Sequence, residues 1–571
     1  MFGRKNFRAA SLFKKELMNK LKTACLPAGR VLLIIIFILA LFFRFFNLSS
    51  IPPQPTVDEV SIGYNAYSIL KTGADEYGNK FPILLRAYDD YRPALYVYLA
   101  VPFVGLFGLN PLAVRLPSVI LSTLSVIAVY FLIKELAIGA KSIRLGKSQL
   151  DLSFVTTCLF AISPWHIYIS RLGHEVNASF SFLIFGLLFF LRFINKQKWN
   201  LYLSALFFGL SFNSYQSTKL VAPLILAVLA ILHFKTLIAN KKTVIISAII
   251  GFIVALPILS TSFDQNALIR FKATNLLEYS VDYFKIQKER LDENRAKGDL
   301  VGVLFDNRKV ASGLLISKAY LSHLNPQWLF LNEGGEQFKA PALGLLYLFE
   351  LPLSILGLLF LTRTGIPTKT VIFIFAWSVI AIIPGAITTG YAHPMRIFSI
   401  LPVPQIFAAV GFLIFINYFQ KFRPVVLAGS VFVAFIFALW FFHSYFTLVP
   451  RELSSHFQYG ILNAFARAEK IEDRYEKVVV SNTDRLFESY MFYLYYKRYD
   501  PELYQKIGGT VSGGFAEEHR IDNYVFGRVD DKISKNTLYI INPHEEKEFM
   551  RVLYRIPYLN GETALLVAEI K

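Results

Sequence analysis

The chain is poor in charge and almost without cysteine. Only 17% of its 571 residues are Asp, Glu, Lys or Arg, against about a quarter in soluble domains. Meanwhile 54% are hydrophobic, which excludes a disordered chain and leaves more apolar surface than a water-soluble enzyme can hide. The two cysteines, Cys25 and Cys158, build no disulfide framework. No His-Glu-x-x-His or paired-Cys spacing is present, and no Gly-rich phosphate loop ends in Lys-Ser/Thr. Nucleotide-driven chemistry is therefore disfavoured. A transferase working outside the cell would need a donor already activated and carried in the membrane. Acids are scarcer than bases, 40 against 59, for a net charge of +19. In a soluble protein that balance suggests nucleic acid; here the bases sit in short loops between apolar runs, which removes that reading.

What the chain has is apolar runs. A helix needs about 20 apolar residues to cross a bilayer. Eleven runs qualify, near 31–48, 113–133, 152–169, 175–193, 201–216, 219–234, 243–260, 342–362, 371–388, 397–418 and 424–443. The first thirty residues carry Arg4, Lys5, Arg8, Lys14, Lys15, Lys20, Lys22 and Arg30 against Glu16 alone, which predicts a cytoplasmic N-terminus. The alternate loops agree, with Lys134 to Lys147, Arg192 to Lys198, Lys235 to Lys242, Arg363 to Lys369, and Lys421 with Arg423. The first run lacks a small-residue cleavage site and continues through Arg44, so it reads as an uncleaved anchor, with Arg44 snorkelling to headgroups.

The expected architecture is an α-helical polytopic plasma-membrane protein of about eleven transmembrane helices. A basic cytoplasmic segment, 1–30, precedes a membrane domain, 31–443, with long external loops at 49–112 and 261–341. A small extracytoplasmic α/β domain, 444–571, closes the chain. In the first loop, Val60 to Leu70 reads as an amphipathic helix on the interface. The apolar stretch 94–109, with Pro102, Gly105 and Gly108, reads as a re-entrant or interfacial helix. Tyr283 to Ala296 predicts a helix, and Asn332 to Glu336 a turn. In the tail, Lys477–Val480, Leu538–Ile541 and Ala564–Ile570 predict strands, and Arg485–Tyr499 an aromatic-rich helix.

Asp58 and Glu59 are the sharpest chemical feature. Two adjacent carboxylates stand where water meets lipid, just before a helix. They suit a tunable general base, and equally a solvated acidic turn capping that helix. Arg115, at the outer end of a span, either meets phosphate or snorkels. Tyr88 and Tyr91 flank Arg92 in the first loop. The external turn Ser170-Arg171-Leu172-Gly173-His174-Glu175 offers a cation, a titratable ring and a carboxylate, or is a polar interhelical turn. Lys219 and the turn with His393 and Arg396 complete the external polar set.

The order of these features resembles the GT-C glycosyltransferases. A first span leads to Asp58-Glu59, then to an apolar stretch ending Leu106-Phe107-Gly108, then to Ala113-Val114-Arg115-Leu116-Pro117-Ser118 opening the second span. More narrowly, the pattern is similar to protein O-mannosyltransferases, aminoarabinose lipid A transferases and RgtA/B/C/D-like enzymes. The resemblance is most specific over residues 31–135. It implies transfer of a sugar from a polyprenyl-phosphate donor to an external acceptor, whether lipid, polysaccharide or protein. It implies Asp58, with Glu59 beside it, as catalytic or acceptor-orienting acid, and Arg115 at the lipid phosphate. Arg92, Arg171 and Arg396 are the further candidate phosphate ligands; Tyr88, Tyr91, His174, Glu175, Lys219 and His393 are candidate substrate contacts. Displacement with inversion is implied. A divalent metal occurs in some relatives, and this sequence establishes none. Many relatives carry Lys-Pro-Pro-Leu or His-Pro-Pro-Leu where this chain reads Tyr91-Arg92-Pro93-Ala94-Leu95, which leaves the sugar and acceptor open. A transporter or lipid flippase is the alternative; against it, no internal repeat is seen and the charges gather at the external surface rather than mid-membrane.

Overall fold

A computed structural model describes residues 28–88, 90–137, 151–195, 197–261, 274–332, 336, 338–508, 510, 518–529 and 534–570. The basic residues at positions 4–22, the centre of the 134–147 loop and most of the Asn332–Glu336 turn lie outside them.

A helix forms at each of the eleven apolar runs, because an apolar segment in lipid must satisfy its own backbone. They are α1 (Ala28–Phe45), α4 (Pro111–Leu136), α5 with α6 (Leu152–Ala161 and Pro164–Ser170), α7 (Glu175–Asn195), α8 (Asn200–Phe212), α9 (Gln216–Leu232), α10 (Lys241–Thr261), α11 (Glu350–Phe360), α12 (Thr368–Ala386), α13 (Val403–Tyr418) and α14 (Arg423–His443). Two further helices belong to the first long loop, α2 (Val57–Thr72) and α3 (Leu95–Phe107). Among the described residues, six helices are long and apolar enough to cross a membrane, or seven when α5 and α6 count as one bent span. The run at 342–362 becomes helical only from Glu350, and α8 and α9 stay separate. Ile245, Phe252, Val431, Phe432 and Phe435 face outward on α10 and α14, as lipid-facing side chains do. The molecule is a multi-pass helical membrane protein.

The run at 152–169 is broken. Ser163 and Pro164 bend it by 54°, because proline cannot continue the helical ladder. Polar side chains take up the freed carbonyls. Arg44 donates to Ala161 O at 3.1 Å and Tyr347 to Ile162 O at 2.9 Å. Arg44 also lies 2.6 Å from His166 Nδ1 and is fully buried. The expected snorkelling is thus replaced by an inward role at the break.

In the first loop, α3 has 13 residues, too short to cross the hydrocarbon at 1.5 Å per residue. It packs on α2 and α4. A hairpin of β1 (Leu84–Ala87) and β2 (Asp90–Pro93) sits between α2 and α3.

The tail is an α/β unit. Its sheet runs β4 (His519–Ile521), β5 (Tyr524–Phe526), β3 (Lys477–Val480), β6 (Thr537–Ile541), β8 (Thr563–Ile570), β7 (Met550–Pro557). The central strand β3 is parallel to both neighbours; the outer pairs are antiparallel. Helices α15 (Ile461–Ala468), α16 (Ser489–Lys497) and α17 (Pro501–Lys506) complete it.

The tail seats on α2, and this corrects the reading of that helix as interfacial. From Val60 to Ile69, Tyr67 alone is not fully buried. Tyr64 donates to Tyr499 O, and the Gln505 amide donates to Ser68, Thr72 and Asp75 O. The amphipathic pattern records protein on both sides rather than headgroups on one.

A buried carboxyl lies in this seam. Glu76 accepts from Thr510 Oγ1 at 2.9 Å and from Asn65 Nδ2 at 3.2 Å; the Tyr504 hydroxyl bonds Thr510 Oγ1 and also His519 Nε2. Burial pushes the Glu76 carboxyl up to about 7; bonds from Asn65 and Thr510 oppose this, Asp75 adds to it, and Arg92 opposes it. A carboxyl raised on folding gives its full stability below its unfolded value and loses it as pH rises through the folded one. Wild-type protein should therefore lose thermal stability between pH about 5 and about 8, and Glu76→Gln should flatten that slope. A parallel pH dependence of Tm in both proteins would remove Glu76 as the source.

Candidate active site

Asp58 and Glu59 lie in the first turn of α2. Thr56 caps the helix, its hydroxyl accepting from Glu59 N at 3.2 Å while Glu59 Oε2 accepts from Thr56 N at 2.9 Å. This reciprocal cap fixes the start of the helix. Neighbours on a helix point about 100° apart, so the two acids go to different places.

Glu59 goes inward and is fully buried. Its Oε1 accepts from Arg115 Nε at 2.7 Å and from Gly173 N at 2.8 Å; its Oε2 accepts from Arg115 Nη2 at 3.1 Å as well as from Thr56. Four donors leave this carboxylate no room to take a proton from substrate. Gly173 is required for the approach, because a Cβ there would stand 2.9 Å from Val114 O and 2.7 Å from the Val114 side chain.

Arg115 is closed in the same way. Its five N–H groups reach Glu59 twice, Leu48 O at 2.9 Å, Pro52 O at 3.1 Å and Gln54 O at 3.2 Å. Nothing is left for a lipid phosphate. Arg171 is also turned inward. It donates to the carbonyls of Phe43, Arg44, Phe46, Asn47 and Ile51, and lies over the rings of Tyr445 and Phe446. It thereby meets the orphan carbonyls at the C-terminal end of α1. The geometry makes Glu59, Arg115 and Arg171 a clamp that holds the first loop, with their polar groups turned onto protein partners.

Asp58 goes outward, with 40% of its side chain exposed. Its Oδ1 accepts from Arg92 Nη2 at 2.7 Å, and its Oδ2 lies 3.9 Å from His174 Nε2. Val176 N donates to His174 Nδ1 at 3.2 Å, so the neutral ring carries its proton on Nε2, the nitrogen facing Asp58. Glu175 lies on the far side, 3.4 Å from Nδ1. Tyr88 donates to Val57 O at 2.9 Å and pins the hairpin to the head of α2; Gln216 donates to Tyr91 O. The His174 ring meets Tyr215 edge-on at 5.9 Å, which brings the first turn of α9, with half-buried Lys219, beside the cluster.

The turn with His393 and Arg396 approaches from another side. His393 N donates to His323 Nε2 at 3.2 Å, and Arg396 donates to Thr388 Oγ1 and Thr389 O. Burial pushes the His393 imidazole down to about 3, with Arg396, His323 and His174 adding to the effect. His393 is therefore neutral and brings no charge to a phosphate. His323 was not singled out from the sequence; it lies in the long segment 261–341 with no motif around it. Among the described residues, no three His, Cys, Asp or Glu side chains are placed to hold a metal ion.

Comparison with known proteins agrees with this fold. The family model described as dolichyl-phosphate-mannose-protein mannosyltransferase matches residues 91–260. The solved apo structure of ArnT from Cupriavidus metallidurans superposes with a TM-score of 0.52 at 11% identity, over 95% of this chain and 98% of that one. The same enzyme bound to undecaprenyl phosphate gives 0.49 at 12% identity, over 95% and 98%. The archaeal oligosaccharyltransferase AglB from Archaeoglobus fulgidus, in complex with an inhibitory peptide and a dolichol-phosphate, gives 0.46 at 13% identity, over 82% of this chain. The present chain spans 63% of that AglB chain. No curated protein matches in sequence. The GT-C resemblance and fold read from the sequence are met by these findings.

Proposed function

We propose that this protein is a glycosyltransferase of the outer membrane face, moving a sugar from a polyprenyl-phosphate donor to an acceptor hydroxyl or amine. The observation that carries the reading is the half-open Asp58 carboxylate, held by Arg92 at 2.7 Å and faced by His174 at 3.9 Å, at the head of a rigid helix. The N-terminus is then cytoplasmic, and the tail and long loops are external.

Asp58 takes the proton of the acceptor as its oxygen or nitrogen attacks the anomeric carbon. The bond from that carbon to the phosphate oxygen breaks, and polyprenyl phosphate leaves with the electron pair. The developing negative charge needs cations. Arg92, buried and paired with Asp58, and half-buried Lys219 are the cations offered for this role, and His174 supplies an N–H beside Asp58. Arg396, tied to its own turn, stands further along the same external rim. Tyr88, Tyr91 and Glu175 hold this arrangement in place. The GT-C resemblance supplies the donor class and the inverting outcome.

The test is direct. Purified protein is incubated with a panel of radiolabelled polyprenyl-phosphate sugars and with membrane extract as acceptor source. Consumption of one donor, with label appearing in acceptor, is the expected result. Transport of an intact lipid-linked sugar without bond cleavage would overturn it.

A further inference from the structure

The tail carries a second concavity, remote in sequence from the Asp58 cluster. Between α15 and the edge strand β7 runs a groove made of two adjoining cavities, about 480 and 530 Å³, that share Tyr554. One wall is the face of α15 that carries Asn463, Ala466 and Arg467, at the spacing that stacks side chains along a helix, continued past the helix end by Lys470. The lining includes five cations, Arg467, Lys470, Arg474, Arg551 and Arg555, against one carboxylate, Glu569. Glu569 is already engaged by Tyr475 OH and by Arg551 at 3.3 Å, and Arg555 by Glu546. Among the described residues, no carboxylate lies within ion-pair distance of Arg467, Lys470 or Arg474. The Arg467 guanidinium stands 5.6 Å over the Tyr554 ring.

We infer that this groove binds an acidic oligosaccharide, the acceptor chain or a segment of it. Guanidinium groups match carboxylates bidentately. A half-buried tyrosine offers a flat apolar face with a polar edge, and the Asn463 and Asn536 amides can both donate to and accept from sugar hydroxyls. An acidic peptide fits less well. It would add to the free edge of β7, but that strand is bulged between Val552 and Tyr554, and a bulge interrupts the ladder a peptide strand would need. The inference rests on the proposed transfer to an external acceptor for its biological meaning, while the binding chemistry stands by itself.

The experiment measures binding to the full-length protein in detergent by calorimetry. The probes are a galacturonate hexamer, an uncharged maltohexaose and a poly-L-glutamate of equal charge. The galacturonate hexamer should bind, more weakly as salt rises. Arg467→Ala with Tyr554→Ala should weaken it by roughly tenfold or more, and the surface charge reversal Lys470→Glu should act in the same direction. Asp58→Asn should bind it like the wild type, so that failure of the transfer assay leaves this result standing. Equal binding of maltohexaose would show that charge is not read. Equal binding of poly-L-glutamate would show that sugar is not read. Either result, or no binding of the galacturonate hexamer, or wild-type affinity in the variants, overturns the inference.

Discussion

Asp58→Asn should lower the rate of sugar transfer by about 10²–10⁴-fold, the range of a lost general base, while the protein still folds. The amide keeps the shape of the side chain and an oxygen for Arg92, and loses the ability to take a proton. The structural cost is small, because an ion pair this open to water is worth at most about 1 kcal/mol; Asp58 is 40% exposed. The rate at saturating donor separates this from weakened binding, since a group acting only in the transition state lowers kcat and kcat/KM together. An unchanged Tm with retention of most activity would remove Asp58 from the chemistry.

Arg115→Ala should fail in the opposite way. It removes five hydrogen bonds and leaves Glu59 fully buried with its charge uncompensated. Breaking a buried pair from one side costs roughly 3–5 kcal/mol, a large part of the stability of a typical domain. The expected result is loss of the monodisperse peak in size-exclusion chromatography or a collapse of Tm. The double replacement Arg115→Met with Glu59→Leu should be milder than Arg115→Ala alone, because no charge is stranded. A stable Arg115→Ala protein with a raised donor KM would instead place this guanidinium at the lipid phosphate, as the sequence resemblance implied.

These two predictions show where sequence reading reached and where it stopped. Asp58 and Glu59 were found together because acids are rare beside apolar runs. Their separation into an open and a closed residue was not legible, since it depends on which side of α2 meets the membrane domain. Arg115 could be seen, but four of its five acceptor atoms were not visible as acceptors: they are three backbone carbonyls and the second oxygen of one carboxylate, invisible to residue type. Arg44 looked like a snorkelling end because its partner, the Ala161 carbonyl, exists only where Ser163 and Pro164 break another helix. That break had a signal in Pro164, masked by the continuous apolar run around it. Strands β3, β6 and β8 of the tail and the helix Val281–Lys297 were legible from apolar runs and from charge-rich helical composition, while β4, β5 and β7 were not. The seat of the tail on α2 was not, because an amphipathic pattern does not say whether lipid or protein covers its apolar face.

The seat of the tail has a consequence for how the molecule is made. Residues 57–76 leave the ribosome early, yet their outer cover, including Tyr499, Gln505 and Thr510, comes more than four hundred residues later. Until then, the helix bearing Asp58 has one bare flank. The proposed reacting centre therefore reaches its working shape late, and a nascent chain halted before residue 472 should sit in the bilayer, threaded and inert.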